Sequence, residues 1–444
     1  MKQIGRTESV CPECLKVIPA DKVVRDEGIY LEKRCPEHGS FSALIWEGSV
    51  ESYEAWGRDI QPADQVPGTR ETERGCPYDC GLCDAHERRG CCVLLEVTSR
   101  CNLHCPVCFA DAGEQGGCDV PMERLEEQLD YLMSHGGPFN LQISGGEPTV
   151  RDDLPELIRM GRKKGFTFFQ LNTNGLRLAE QPDYAGELKE AGLSCVFLQF
   201  DGLKDQVFQV LRGRALLEKK KAAIDACERA GLGVVLVPVI TPGVNEDQVG
   251  EILRYAVSRM PVVRGVHFQP ISYFGRCMEA QGSYRITIPR LLTLIEEQTG
   301  GIMKGAHFTG GNATNPYCTL QANYLRQEDG SLQPMLHGTA RAYETSEQAR
   351  EFVARQWTGA REQESCCCGE STAQMQLDTS SLDDFLAKLH NNTFAVSGML
   401  FQDACNLDLE RLKRCYILET DSRYGMVPFC AYNLTSLKGK GLYR

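Results

Sequence analysis

The sequence predicts an α/β protein: a partial (β/α)6 TIM-like barrel between an N-terminal zinc-ribbon or rubredoxin-like module and a cysteine-rich C-terminal region. Apolar, β-branched segments alternate with amphipathic segments six times over residues 93–300, which predicts a parallel sheet with right-handed crossovers. Pairs of metal-ligating residue types flank a β-like stretch in residues 1–50. Cysteines are unusually frequent, 22 in 444 residues, and many are clustered. Six strand–helix units curl into an incomplete barrel.

The composition limits the class of protein. A chain of 444 residues has room for two or three domains, and 42% hydrophobic with 24% charged residues is ordinary for a globular protein. The net charge of −12 argues against nucleic-acid binding by bulk electrostatics. The chain has no long apolar run, so no membrane span is expected, and "MKQIGRTESV" lacks the apolar core of an export signal. We therefore expect a cytoplasmic protein whose reduced, clustered thiols bind metal or carry out redox chemistry.

The first 50 residues hold two short ligand pairs. Cys11 and Cys14 form a C-x2-C pair, and Cys35 and His38 form a C-x2-H pair after a gap of 20 residues. Two such knuckles separated by a hairpin place four ligands at tetrahedral corners, which suits zinc. Iron in a rubredoxin-like site is the alternative.

Residues 51–92 divide into a polar, proline-containing linker up to residue 75 and a cysteine-rich segment. In that segment Cys76, Cys80 and Cys83 have C-x3-C-x2-C spacing. The same spacing recurs a short way along the chain, in an array formed by Cys101, Cys105 and Cys108. Two such arrays so close together are difficult to attribute to composition alone, and both are predicted to bind metal.

The barrel segment, residues 93–300, ends nearly every strand in a polar or glycine-bearing turn. These strand-end residues are Arg100, Gly145, Asn172, Asp201, Thr241 and Gln269. Ligands of α/β sheets bind at the C-terminal edges of the strands. Three thiolates on the first loop suit a [4Fe–4S] cluster with one open iron. At the second strand end, Gly145 and Gly146 let a ligand approach the backbone closely, and Glu147 supplies a carboxylate for an ammonium group.

Periodicity is weaker in residues 301–444. The stretch "ESCCCGEST" holds three consecutive cysteines, and "SLDDFLAKLHNN" predicts a helix over residues 381–392. Cys415 and Cys430 lie on either side of a predicted hairpin. The cysteines are the most informative feature of this region.

The three-cysteine loop, followed by "SGGEP" at residues 144–148 on the next strand, resembles the radical S-adenosylmethionine (SAM) superfamily. The resemblance covers about residues 93–300, with one departure at Val107, where the family usually has an aromatic residue. It implies that the open iron chelates the amino and carboxylate groups of SAM, and that one electron cleaves SAM to a 5′-deoxyadenosyl radical. The SAM contacts it implies are Gly145, Gly146 and Glu147 for the amino group, and Asn172, Asn174, Asp201 and Gln269 for the ribose and carboxylate.

The N-terminal knuckles, the additional C-x3-C-x2-C array and the C-terminal "PFCAYN" are similar to the class D radical SAM methylases, and to the tetraether-lipid synthases that share their architecture. This resemblance covers nearly the whole chain. It implies at least one auxiliary [4Fe–4S] cluster on the 76–83 array, and an external electron donor such as ferredoxin or flavodoxin. Candidates for the fourth ligand of the auxiliary cluster are Cys318, Cys415 and Cys430.

Three functions are therefore hypotheses. The first is C-methylation of an unactivated carbon in a small substrate such as a pterin. The second is radical C–C coupling of lipid tails, which needs a long apolar tunnel. The third belongs to another class: a non-catalytic iron–sulfur redox sensor or partner-binding protein, which would have no use for the ammonium cradle of "GGEP".

Overall fold

The computed structural model describes the chain apart from residues 1, 27, 59–67, 69–70, 82, 114–116, 278–284, 312–314, 336–344 and 360–387. The described residues form a four-stranded N-terminal sheet and a twelve-stranded sheet that continues through the rest of the chain. In this part of the chain, no helix is both long enough and apolar enough to cross a membrane.

The N-terminal sheet is antiparallel, with its strands in sequence order. Its members are β1 (Lys2–Val10), β2 (Val17–Arg25), β3 (Gly28–Cys35) and β4 (Gly39–Glu47). Strands β2 and β3 pair as the hairpin predicted between the two ligand pairs. Gly39, directly after His38, has a φ of 83°, a left-handed conformation that glycine adopts without strain. Both ligand pairs therefore lie on turns at the same end of this sheet.

The predicted linker begins in a helix, α1 (Val50–Trp56). The ring of Tyr53 stacks on that of Tyr317, with centroids 4.3 Å apart, and Trp46 of β4 packs edge-on against both. Aromatic pairs of this kind contribute about 0.5–1.5 kcal/mol beyond the area they bury. The cluster joins the N-terminal sheet to the part of the chain that follows the barrel.

Six parallel strands form the partial barrel in sequence order, which confirms the predicted fold class. They are β5 (Cys92–Thr98), β6 (Asn140–Gly145), β7 (Phe169–Thr173), β8 (Cys195–Gln199), β9 (Gly233–Val237) and β11 (Val263–Pro270), with the short β10 (Val239–Ile240) paired to β11. The helices of this region are α2 (Met122–Ser134), α3 (Leu154–Lys163), α4 (Leu176–Glu180), α5 (Tyr184–Ala191), α6 (Asp205–Arg212), α7 (Leu217–Arg229), α8 (Val249–Ser258) and α9 (Ile288–Gln298).

Alternate residues of the barrel strands face opposite layers, because side chains along a strand have a period of two. On β6, Leu141 and Ile143 are fully buried in the main hydrophobic core, whereas Gln142 and Ser144 line an interior cavity. Full burial of each such aliphatic side chain stabilises the fold by about 1.5–3 kcal/mol. The outward-facing residues therefore hold the helices to the sheet, and the inward-facing residues remain available to a ligand.

Residues after 300 extend the same sheet at both of its edges. One edge continues from β11 through β14 (Thr393–Met399), which is parallel to it, to the antiparallel β12 (Thr319–Arg326) and β13 (Leu332–Pro334). At the other edge, β15 (Ile417–Asp421) is parallel to β5 and is followed by the antiparallel β16 (Gly425–Pro428). The C-terminal region is thus built into the sheet that the barrel strands begin.

The remaining helices belong to the C-terminal region: α10 (Ser346–Trp357), α11 (Leu409–Leu412) and α12 (Phe429–Tyr432). The hairpin predicted between Cys415 and Cys430 is formed by β15 and β16. The helix predicted over residues 381–392 is described only from residue 388, and residues 388–392 are helical. The three consecutive cysteines, Cys366, Cys367 and Cys368, lie outside the described residues.

Helix α10 covers the N-terminal end of the barrel. A capping box between Thr345 and Gln348 starts the helix. The side chain of Asn140, the first residue of β6, donates a 2.9 Å hydrogen bond to the carbonyl of Arg350. The opposite face of the helix presents Gln356 to the interior cavity. The helix therefore forms a floor at the end of the barrel that lies away from the cysteine loop.

Candidate active site

The barrel encloses a cavity of about 790 Å³, a size ordinary for a small-molecule site. The Cys101–Cys108 loop lines the end at the C-terminal edge of the strands, and α10 lines the other end. Amide side chains stand among apolar residues on the wall between them. The seven glutamines that line it are Gln142, Gln170, Gln199, Gln269, Gln321, Gln348 and Gln356.

All three cysteines of the predicted cluster loop line this cavity. Burial raises the pKa of Cys101 to about 12 and also raises the pKa of Cys105. A metal binds the thiolate, so a cluster held by this loop must displace these protons. The three thiols of this loop do not all lie within 4.8 Å of one another. Among the described residues, only Cys11, Cys14, Cys35 and His38 form a group of three or more ligand atoms that close together. The wider spacing of the loop thiols suits a cluster, which takes one thiolate at each iron corner, better than a single ion.

Arg276 fixes the shape of this loop, a role that sequence reasoning missed. Its guanidinium donates hydrogen bonds to the carbonyls of Cys105, at 2.7 Å, and Ala112, at 2.6 Å. Its backbone exchanges two hydrogen bonds with Cys108, at 2.7 and 3.0 Å. A side chain that binds several carbonyls of one loop lowers the number of conformations the loop can adopt. No local pattern in "SYFGRCM" marks this arginine, because its partners lie more than 160 residues earlier in the chain.

The two glycines at the end of β6 are required by close packing. Gly145 has a φ of 117°. A Cβ at Gly145 would lie 2.2 Å from the Thr98 carbonyl oxygen, and a Cβ at Gly146 would lie 2.1 Å from that of Arg100. Gly146 N–H donates to the Thr98 carbonyl at 2.7 Å. The glycines thus hold the end of β6 against the start of the cysteine loop, in addition to leaving their own surface open to a ligand.

Glu147 is 1% exposed and accepts hydrogen bonds from two strand ends. Its Oε1 accepts from the backbone N–H and hydroxyl of Thr149 and from the hydroxyl of Thr173, the last at 2.6 Å. Its Oε2 accepts from the Asn174 N–H at 2.7 Å. A carboxylate offers about four acceptor positions, so Oε2 retains capacity for one further donor. Glu147 therefore has a structural role that the sequence does not reveal, beside the capacity to accept from an ammonium group.

The other predicted SAM contacts differ in how they face the cavity. Asn172, Asn174 and Gln269 all line it. The Asn172 Oδ1 accepts from Gln170 at 2.8 Å, and the Asn174 side chain donates to Asn102 of the cysteine loop at 2.7 Å. The latter bond couples the end of β7 to the cluster loop.

Asp201 is fully buried, and its carboxylate is paired with Arg212. Two hydrogen bonds join them, Nε to Oδ2 at 2.7 Å and Nη2 to Oδ1 at 2.8 Å. Although burial acts the other way, Asp201 raises the pKa of Arg212. It is Arg212, and not its partner, that lines the cavity. Burial raises the pKa of Cys105, and the positive charge of Arg212 partly opposes that rise. Arg212 therefore offsets the negative charge of the thiolates.

The N-terminal ligand pairs converge on one point. The ligand atoms of Cys11, Cys14, Cys35 and His38 all lie within 4.8 Å of one another. The Nδ1 of His38 is 3.6 Å from the Cys11 sulfur and 3.4 Å from the Cys35 sulfur. Burial raises the pKa of Cys35, but bonds from His38 and the neighbouring backbone outweigh it and bring the pKa to about 6. Four such ligands at this spacing suit a tetrahedral metal ion.

The auxiliary-cluster cysteines lie in a separate pocket. Cys76, Cys80 and Cys83 line it together with Lys413 and other residues of the C-terminal region. A hydrogen bond from the Cys80 thiol lowers the pKa of Cys76, although burial acts against it. The thiols of Cys76 and Cys80 are therefore in contact.

The three candidate fourth ligands, Cys318, Cys415 and Cys430, form a second group of thiols beside this pocket. The thiol of Cys318 accepts a hydrogen bond from Arg411 at 3.2 Å, and that of Cys430 accepts one from the Gln402 N–H at 3.2 Å. Burial, followed by the charge of Cys318, raises the pKa of Cys415 to about 12. Three elements remote in sequence thus supply one group of thiols.

The fold and this site define a class of protein. Residues 95–256 match the family model described as the Radical SAM superfamily, and residues 3–47 match that of the HMPTM N-terminal zinc ribbon domain. The chain belongs to the radical SAM superfamily.

Its relatives identify the branch. The chain is 35% identical to the 7,8-dihydro-6-hydroxymethylpterin dimethyltransferase of Methanocaldococcus jannaschii, over 96% of this chain and 93% of that protein. This similarity confirms the class D branch expected from the sequence. A probable GTP 3′,8-cyclase of Methanothermobacter thermautotrophicus is 30% identical over 41% of this chain and 58% of its own length. The crystal structure of Streptococcus suis SuiB bound to S-adenosylmethionine superposes with a TM-score of 0.41 at 17% identity, over 48% of each chain.

Proposed function

We propose that the protein is a radical SAM methyltransferase that methylates an unactivated carbon of a pterin-type heterocycle. The observation that carries the proposal is the composition of the cavity: a cysteine loop and an SGGEP strand end at one end, and neutral amides along the walls. Among the described lining residues, only Glu147 and Arg212 bear formally charged side chains. Similarity to a pterin dimethyltransferase over nearly the whole chain supports the same substrate class.

At the loop end, the donor set fits a [4Fe–4S] cluster held by Cys101, Cys105 and Cys108 with SAM at the open iron. When bound, the cluster and SAM supply the radical that removes a hydrogen atom from an unactivated carbon. The chain's own residues position SAM and offset the negative charge of the cluster thiolates. Glu147 has one free acceptor position at Oε2 for the SAM amino group, and Arg212 offsets the charge of the thiolates.

At the other end of the cavity, the side chains of the wall can hydrogen-bond and stack with a planar heterocycle that carries lactam groups. A glutamine side chain both donates and accepts hydrogen bonds, as the lactam and ring nitrogens of a pterin require. Phe197 and Trp357 line the same region, edge to face with centroids 5.9 Å apart. Gln356 is half-buried, and its buried Oε1 has no hydrogen-bond partner in the described structure. An unpaired buried acceptor costs about 1–3 kcal/mol, so a donor from the substrate would satisfy it.

Two alternative functions fit less well. Coupling of lipid tails needs a long apolar tunnel, whereas the floor formed by α10 and the glutamine side chains favour a compact polar molecule. A pure redox sensor would not need the ammonium acceptor at Glu147 or an amide-lined chamber.

The metal sites complete the proposal. Zinc, or iron as the alternative, is proposed at Cys11, Cys14, Cys35 and His38, and an auxiliary [4Fe–4S] cluster on Cys76, Cys80 and Cys83. The grouping of Cys318, Cys415 and Cys430 around Arg411 favours a shared metal centre of their own over a single ligand lent to that cluster. Turnover would draw electrons from an external donor such as ferredoxin or flavodoxin.

The test is an anaerobic assay of protein reconstituted with iron and sulfide, given a reductant, SAM and a 7,8-dihydropterin. We expect 5′-deoxyadenosine and a pterin heavier by one or more methyl groups, both detected by mass spectrometry. The variant with Cys101, Cys105 and Cys108 replaced by alanine is the control and should form neither. Absence of 5′-deoxyadenosine from the reconstituted wild type would contradict the reaction class, and its formation with every pterin left unmodified would contradict the substrate.

A further inference from the structure

The pocket of the auxiliary-cluster array has a fourth side chain that the sequence reasoning did not consider. Besides Cys76, Cys80 and Cys83, the segment contributes His86, and residues of the C-terminal region close the pocket from the other side. His86 is only 6% exposed. A histidine that shares a small buried pocket with three cysteines is in the surroundings of a metal ligand.

The Nε2 of His86 has no hydrogen-bond partner in the described structure, although it is buried. A buried polar atom left unpaired is costly, and such atoms call for a specific explanation such as an ion. Backbone hydrogen bonds with Cys415 and Arg88 involve the ring. Because Nε2 has no partner, these bonds belong to Nδ1, which then carries the proton and leaves a lone pair on Nε2. Histidines that bind metals are held in this way by their second nitrogen.

The local chain geometry keeps His86 beside the array. The His86 N–H donates to the Cys83 carbonyl at 2.9 Å, which closes a turn between the last cysteine and the histidine. The full spacing is thus C-x3-C-x2-C-x2-H, with all four residues in one segment.

None of the three earlier candidates, Cys318, Cys415 and Cys430, lines the pocket of the array, although the backbone of Cys415 borders it through its bond with the His86 ring. Cys318 accepts a hydrogen bond from Arg411, and Cys430 accepts one from Gln402. Their electrostatic influence falls on each other and on Cys415. His86, in contrast, lines the pocket of the array itself.

We propose that His86 is the fourth ligand of the auxiliary cluster, which Cys76, Cys80 and Cys83 hold through the other three irons. The inference rests on the proposed auxiliary cluster and deepens it. A cluster with four protein ligands has no open iron, so it does not bind substrate or SAM and serves to carry electrons. An imidazole is neutral where a thiolate is negative. The cluster therefore carries one negative charge fewer than an all-cysteine cluster and accepts an electron more readily.

The test uses the full chain with Cys101, Cys105 and Cys108 replaced by alanine and His38 replaced by cysteine, so that neither the SAM-binding cluster nor a histidine at the N-terminal metal site contributes. Protein containing ¹⁵N-imidazole histidine is reconstituted and reduced, and its paramagnetic clusters are examined by pulsed electron paramagnetic resonance. We expect a ¹⁵N coupling that is lost in His86→Ala and in His86→Cys. His86→Cys should retain the cluster and lower its midpoint potential in a redox titration. His135→Ala, at the end of α2, is the matched control and should retain the coupling and the potential.

The other outcomes overturn the proposal. A cluster without ¹⁵N coupling, a coupling that persists in His86→Cys, or an unchanged midpoint potential in that variant would each exclude His86 as a ligand. If the ¹⁵N coupling disappeared and the midpoint potential changed only in His135→Ala, His86 would likewise be excluded as a ligand. Because these spectra need neither SAM nor a pterin, they separate the failure of this inference from failure of the methylation assay, which is read on the intact protein.

Discussion

Arg212 and Asp201 form a doubly hydrogen-bonded ion pair beneath the cluster loop, with both side chains almost wholly buried. The carboxylate also accepts from the Val239 N–H at 3.0 Å, and the guanidinium donates to the Val107 carbonyl at 3.2 Å. The pair therefore links three strand-end loops. Asp201, which the sequence suggested as a SAM contact, acts through Arg212 in this geometry.

Asp201→Asn should destabilise the protein markedly, because the buried guanidinium loses its charged partner. Breaking a buried pair in this way costs about 3–5 kcal/mol in the free energy of unfolding, measured by denaturant titration of the metal-loaded protein. The control is Asp247→Asn, which breaks the 2.7 Å exposed pair with Lys204 and should cost about 0–1 kcal/mol. Equal effects of the two substitutions would contradict the importance of the buried pair.

Gly146→Ala should slow SAM cleavage by about 100-fold while the protein remains folded. The added Cβ would lie 2.1 Å from the Arg100 carbonyl, so the strand end and the cluster loop must separate, and a displacement near 1 Å costs about 100-fold in rate. The measurement is the rate of 5′-deoxyadenosine formation. Gly186→Ala, where a Cβ has no neighbour within 4 Å, is the matched control. A Gly146 variant with wild-type turnover would show that this contact can relax without consequence.

Gln356→Leu should weaken the use of pterin without impairing SAM cleavage. The substitution removes the buried amide oxygen of a half-buried side chain on the floor of the cavity, and loss of one hydrogen bond of about 1.4 kcal/mol corresponds to tenfold in KM. Methylated product should fall relative to 5′-deoxyadenosine at low pterin concentration. Glu351→Ala, on the exposed face of the same helix, should behave as wild type. If both products fell together, Gln356 would affect SAM binding and not the pterin.

His267 predicts a pH-dependent stability. Burial lowers its pKa to about 4, below the ordinary value near 6.5. The unfolded chain therefore binds more protons between these values, and the free energy of unfolding falls as the pH drops from about 6.5 to 4. The contribution of this residue is at most about 3 kcal/mol. His267→Gln should remove it in denaturant titrations across this range, whereas Ser397→Ala, which removes the 2.8 Å partner of Nδ1, keeps the imidazole and should retain it.

Cys35→Ser should remove the N-terminal metal selectively. Three remaining ligands at a structural tetrahedral site bind far more weakly than four. Elemental analysis should show the loss of one equivalent of zinc, or of iron if that metal occupies the site, with acid-labile sulfide unchanged. Cys118→Ser, at an exposed cysteine, is the control and should lose no metal. Loss of sulfide together with the metal would mean that the N-terminal site and the clusters do not assemble independently.

The alternating pattern of residues 93–300 was sufficient to predict the partial barrel, because each strand–helix unit pairs with its neighbour in sequence. It could not predict the pairing of β15 with β5. Strands more than 300 residues apart meet there, and a local hydrophobic period contains no information about such a partner. Helix α10 carried a usable signal, the capping box of Thr345 and Gln348, that was overlooked.

Motif spacing predicted which residues surround the candidate site more successfully than what each one contacts. The cysteine loop, Glu147 and Asn174 do line one cavity. The sequence did not reveal that Glu147 accepts from Thr173 and Asn174, or that Arg276 binds the loop through Cys105 and Ala112. Such contacts depend on tertiary distances between side chains, which only the folded chain defines.

The two edges of the barrel sheet are completed by β14 and β15, which follow the last barrel strand, β11, by more than 120 residues. During translation the six central strands therefore leave the ribosome with both edges unpaired. Open strand edges pair readily with other chains, so the nascent protein passes through an aggregation-prone interval that ends only when β14 and β15 have emerged. Expression of the barrel segment alone would prolong that interval indefinitely.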